Sequence, residues 1–137
     1  MDSRLISLCK ELAKMTSDQA AAWILSRYPL TSDNWGEALL LLPHRSWKKP
    51  EQKRLADYYF KKIPFSSARG YETFASIMPV KLMVACINDA LPKDPSRLEL
   101  LFYHLVPVLK RFAKNDADRK IIETLLSAFS INFPKDN

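Results

Sequence analysis

The side chains best able to do chemistry in this sequence lie in residues 45–69. Arg45, Lys48, Lys49, Lys53, Arg54, Lys61, Lys62 and Arg69 stand there against Glu51 and Asp57, a local charge of +6 that equals the net charge of all 137 residues. Aromatic rings are interleaved with these cations. Arg54, Tyr58 and Lys62 are spaced i, i+4, i+8, with Lys61 adjacent, which on a helix sets a tyrosine between cations on one face. Trp47 stands among Arg45, Lys48 and Lys49 in the segment leading in. Such an array suits phosphates and bases. It equally suits an acidic protein surface, where Tyr, Trp and Arg serve as anchors. A solvated lysine face with Trp47 packed on the core uses the same residues for neither purpose.

Other chemistry is sparse. With only Gly36 and Gly70, the chain can build neither G-x-G-x-x-G nor a phosphate-binding P-loop. H-E-x-x-H and C-x-x-C are absent, and His44 and His104 have no acidic residue within helical reach, so no metal site is expected. His104, in LFYHLVP, reads as a partly buried histidine, and His44 as a helix-end residue. Cys86 lies in an apolar helix, which raises a thiol pKa where a nucleophile needs it lowered. Asp116 and Asp118 precede a helix, where capping and the helix dipole account for them. No catalytic residue and no cofactor are expected. The remaining enzyme hypothesis would use His104, Cys86 or the Asp116/Asp118 pair.

The elements that must position the basic stretch read as helices throughout. Scarce glycine disfavours tight hairpins, and apolar residues recur at helical spacing. Residues 2–15 form a first helix. Thr16 to Gln19 makes a capping box for a second, which stops before Pro29. A third runs from Trp35 to about Leu42, a fourth from Pro50 to about Ile63, with Leu55, Tyr59 and Ile63 facing the core. Phe74–Leu91 is the most apolar stretch of its length and belongs at the centre of the fold. Pro79 kinks or breaks it. A helix over about 95–114, bent at Pro107, and a last helix after Asn115–Asp118 complete the chain. Leu82, Val84, Ile87, Leu101, Leu105 and Leu125 are the expected core. The expectation is an all-α single domain over 1–137 with six to eight helices and a frayed tail at 132–137.

Segments also match one another internally. Arg54–Pro64 aligns with Arg97–Pro107 at an offset of 43, Gln19–Pro29 with Arg54–Pro64 at 35, and Trp35–Pro43 with Tyr71–Pro79 at 36. Helix pairs recurring at a period near 40 resemble the HEAT and armadillo class of α-helical repeats. That resemblance implies a compact right-handed stack of helical hairpins with a binding surface on one face. The alternative is an irregular helical bundle.

The longest purely apolar runs, Ala38–Pro43 and Leu82–Ile87, have six residues each, against about 20 for a membrane span. The opening MDSRLISLCKELAKM carries charges throughout and has no signal-peptide core. Cys9 and Cys86 read as reduced thiols. A cytoplasmic protein that does not engage membranes is expected. Its function reads as a non-enzymatic, protein-binding helical repeat, an adaptor or an antidote-type inhibitor. The acidic partner would sit on Arg45, Trp47, Lys48, Lys49, Lys53, Arg54, Tyr58, Lys61, Lys62 and Arg69. The alternative is nucleic-acid binding by the same surface, as some HEAT-like DNA glycosylases bind DNA with basic repeat surfaces. Arg45, Arg54 and Arg69 are the only arginines there, and Glu51 and Asp57 interrupt the run. A phosphate-tracking surface shows a longer basic stripe, so a protein partner is preferred.

Overall fold

Side chains that end and begin helices set the element order. The computed structural model describes residues 1–132 and contains eight α-helices with no strand among them. Asp2 accepts from the Leu5 amide at 2.9 Å and starts α1, Ser3–Ala13. Thr16 and Gln19 close a capping box at 3.1 Å in each direction and start α2, Ser17–Arg27. Helix α3 is Glu37–Leu41, tightening into a 3-10 turn at Leu42–His44. Helix α4, Lys49–Tyr59, carries Pro50 in its first turn, where a missing amide hydrogen costs nothing, and ends in a 3-10 turn over Phe60–Lys62. Helices α5, Arg69–Ile77, and α6, Val80–Asn88, follow. Asp94 caps α7, Pro95–Phe112, and Asn115 accepts from the Asp118 amide at 2.8 Å at the start of α8, Asp116–Asn132. The tail expected to fray lies outside the described residues from 133 onward.

Pro79 breaks the apolar stretch and does not merely kink it. Met78 is extended at φ −147°, ψ 155°, as a residue before proline prefers, and Pro79 becomes the N-cap of α6. Pro107 instead lies within a continuous α7. The carbonyl it leaves without a partner belongs to Tyr103, which is 75% exposed, so water can satisfy it.

The helices pack in two rows by alternate position. Helix α1 contacts α3, α3 contacts α5 and α5 contacts α7, while α2 contacts α4, α4 contacts α6 and α6 contacts α8. The halves of the apolar stretch therefore serve different rows, α5 in one and α6 in the other. Helix α7 lies in the row of α3 and α5, so the offset-43 match pairs helices of opposite rows. The offsets of 35 and 36 relate α2 to α4 and α3 to α5, within a row.

The shared core is aromatic. Tyr28, Tyr59, Tyr71, Phe60 and Phe74 are fully buried. Phe60 and Phe74 meet edge to face at 4.7 Å, a pairing worth about 0.5–1.5 kcal/mol beyond its buried area. Among the described residues no buried hydroxyl lacks a partner: Tyr59 donates to the Tyr28 carbonyl at 2.9 Å, and Tyr71 accepts from the Phe65 amide at 2.8 Å. Val84, Ile87, Leu101, Leu105 and Leu125 are buried as expected, whereas Leu82 is only half-buried. On a helix as short as α6 the inward stripe is Val80, Met83, Val84 and Ile87, spaced i, i+3, i+4, i+7. Leu82 falls on its flank.

Candidate functional site

Helix α4 turns Leu55, Ala56 and Tyr59 inward, and Ile63 beyond it is also buried. Its opposite side carries Lys53, Arg54 and, half-buried, Tyr58. The expected i, i+4, i+8 face does not persist to Lys62. After Tyr59 the backbone tightens to a 3-10 turn of three residues per turn. Lys61, at i+3, lies over the Tyr58 ring with its Nζ 5.3 Å from the centroid. Lys62 is turned to Trp35, 5.7 Å from that ring centre.

Two residues expected on the surface belong to the scaffold. Trp47 is buried, and its indole Nε1 donates to the Leu42 carbonyl at 2.9 Å. Its apolar ring gains more from the core than from water, and its one donor finds a carbonyl there. Arg45 reaches back to α1, where Nη1 donates to the carbonyls of Leu12 at 2.7 Å and Met15 at 3.0 Å. The end of a helix presents carbonyls without partners and partial negative charge, which a guanidinium satisfies. Arg45 also lies 4.7 Å over the Trp47 ring. Lys48 contributes its backbone amide to Ser17 Oγ at 3.0 Å, leaving an exposed side chain beside that of Lys49.

Lys53, Arg54, Tyr58 and Lys61 come together on one groove of about 490 Å³ between α2 and α4, lined also by Leu25, Pro50 and Asp57. Two of its cations are already engaged. Lys53 pairs with Asp57 at 2.5 Å and Arg54 with Asp18 of α2 at 3.1 Å. Exposed pairs of this kind contribute about 0–1 kcal/mol each, so an incoming carboxylate can exchange with them. Tyr58 is held in place by its hydroxyl, which accepts from the Leu30 amide at 2.8 Å.

Lys62 and Arg69 line a different groove, of about 470 Å³, between α3 and α5, together with Trp35, Leu39, Leu40 and Phe65. Residue spacing alone did not single out these apolar members. A signal was present in the run of Leu39 to Leu42: a five-residue helix cannot turn four consecutive leucines inward. Leu41 and Leu42 are buried, Leu39 is half-buried and Leu40 is 46% exposed.

His44, His104, Cys86, Asp116 and Asp118 line neither groove, and only Cys86 adjoins one, through Asp57. Burial pushes the Cys86 thiol up to about 11, with Asp57 adding to the shift, and burial also raises Cys9. His104 is half-buried with its ring 5.0 Å from that of Tyr103, and His44 is exposed. Asp118 accepts from the Lys114 amide at 2.9 Å and Asp116 pairs with Arg119 at 2.7 Å, the geometry of a helix start. Among the described residues no group of three or more His, Cys, Asp or Glu could hold a metal ion, and no helix is long and apolar enough to cross a membrane. Compared with family models, with curated proteins and with solved structures, the chain matches none.

Proposed function

We propose that this chain is a non-enzymatic helical-repeat module that holds an acidic protein segment in the groove between α2 and α4. Packing of alternate helices in two rows supports a HEAT-like stack of hairpins, an architecture used for binding surfaces. The observation that carries the reading is the groove itself: Leu25, Pro50 and Tyr58 offer apolar area beside Lys53, Arg54 and Lys61. Apolar contact supplies affinity while the cations set orientation and speed association. Lys48 and Lys49, exposed at the start of α4, extend the positive field. Such a module acts as an adaptor or as an antidote that covers a partner's acidic site. Two unpaired cysteines, Cys9 and Cys86, fit a reducing cytoplasm.

A duplex or single strand fits this groove less well. Asp57 and Asp18 sit among the cations and would face phosphate, and Arg45 is committed to α1. Fluorescence anisotropy with acidic peptides, single-stranded DNA and duplex DNA across a salt series tests the reading. Acidic peptides should bind, and Lys61→Glu should weaken them about tenfold or more through a like-charge contact. DNA binding with a log K against log salt slope near −0.9 per contact, shallowed by Lys49→Ala, would replace the protein partner with nucleic acid.

A further inference from the structure

A second groove lies in the other row of helices, and it shares no lining residue with the α2–α4 groove. We propose that the groove between α3 and α5 binds a short partner segment in which an apolar anchor is flanked by carboxylates. Its floor is a standing apolar surface. Trp35 stacks on buried Tyr59 at 6.2 Å and lies 6.2 Å from Phe65, so its ring is braced by the core while it lines the groove. Leu40, 46% exposed, and Leu39 continue that surface along α3. Phe65 reaches its place because residue 70 is glycine: a Cβ there would stand 2.4 Å from the Phe65 ring. Gly70 has no positive φ, so it is the close approach of the ring, and not backbone conformation, that needs the missing side chain.

Charge names the occupant. The charged side chains lining this groove are Lys62 and Arg69, both exposed, and no carboxylate lines it. Neither makes an ion pair among the described residues, in contrast to Lys53 and Arg54 in the first groove. Lys62 instead rests over the Trp35 ring, a cation already held at the edge of the apolar floor. An apolar side chain seated against Trp35 and Leu40, with Asp or Glu beside it, would meet both features at once. A basic segment would meet two like charges.

The test uses the full chain and synthetic peptides of about twelve residues carrying Leu, Phe or Trp anchors between glutamates, with a matched panel in which lysine replaces glutamate. The readout is the Trp35 indole N–H resonance in a heteronuclear correlation spectrum, assigned by Trp35→Phe. Members of the acidic panel should move that resonance and the Leu40 methyls. Lys62→Glu with Arg69→Glu should weaken them about tenfold or more, as should Leu40→Glu, while Lys61→Glu in the first groove leaves them unchanged. All four positions are exposed, so unchanged far-ultraviolet circular dichroism is expected of each variant. Binding without movement of the Trp35 indole would overturn the proposal, as would equal binding of the lysine panel or no binding up to about 1 mM. Self-association abolished by Leu40→Glu in sedimentation would also overturn it, giving the groove to a second copy. Because the two grooves share no lining residue, loss of binding through Lys61→Glu alone bears only on the first.

Discussion

A guanidinium laid across the carbonyls of Leu12 and Met15 ends α1 where many helices use glycine. Arg45 is thus worth more to the fold than its place in a basic run suggests. Hydrogen bonds to charged groups contribute about 1.5–3 kcal/mol, so Arg45→Ala should lower stability by about 2 kcal/mol in a urea titration. Arg45→Lys should recover only part, because an ammonium has no second nitrogen to replace the Nε donation to the Ser46 carbonyl at 3.0 Å. A second residue-scale device ties α1 to α3. Arg4 donates to both carboxylate oxygens of Glu37 at 3.0 Å, and the Tyr28 hydroxyl donates to Oε1 at 3.0 Å. The bond from Arg4 is the main cause that holds Glu37 below the ordinary glutamate range, with Tyr28 adding to it. A carboxyl depressed in the folded state stabilises above its unfolded pKa of about 4.3, and that contribution fades as pH falls toward its folded value. Wild type should therefore exceed Glu37→Gln in urea midpoint at pH 7, with the gap narrowing below about pH 4. A gap that is constant with pH would show that the carboxylate is not linked to folding.

Helix α6 shows what an element adds to its residues. Its stretch is apolar enough to suggest burial all round, yet Lys81, Ala85 and Asn88 are exposed and only one stripe meets α4 and α8. Ile87 is fully buried on that stripe. Ile87→Ala should cost about 2–5 kcal/mol through lost transfer energy and the cavity left behind. Leu82→Ala, on the flank, should cost less than half as much. Equal losses in a denaturant titration would mean that the helix is buried on both sides. The 3-10 turn after α4 works at the same scale. It divides Lys61 from Lys62, sending one to Tyr58 and the other to Trp35, and so turns one expected basic face into two grooves.

In the whole molecule, contacts within each row are joined by the aromatic core that the rows share, as where Phe60 meets Phe74 and Trp35 meets Tyr59. Helix α1 is held chiefly through α3, whereas α4, α5 and α6 have packed neighbours on both sides. On the proposed repeat architecture, stability approximates a sum of local and nearest-neighbour terms. Native-state hydrogen exchange should accordingly find the slowest amides in α4, α5 and α6 and faster ones in α1. One common opening free energy for all helices would show a single cooperative unit instead.

Sequence by itself determined the features that depend on near neighbours along the chain. Capping at Thr16, Asp94 and Asn115, the helix stop at Pro29, an interruption at Pro79 with kink or break left open, and the inward stripe of Leu55, Tyr59 and Ile63 rest on interactions spanning about one helical turn, and spacing encodes such interactions. The all-α class follows from them. Tertiary structure decided what each charged or aromatic side chain faces. Arg45 and Trp47 look like surface binders until the end of α1 and the carbonyl of Leu42 are brought beside them. Arg54 finds Asp18 only because α2 lies against α4, and Trp35 joins Lys62 and Arg69 only because α3 lies against α5. Apart from Trp47 and Leu42, which are five residues apart, these partners are separated by some 30 residues, and helix crossing brings them together. No local spacing records it, because the position of one helix on another is set by the fit of their buried faces.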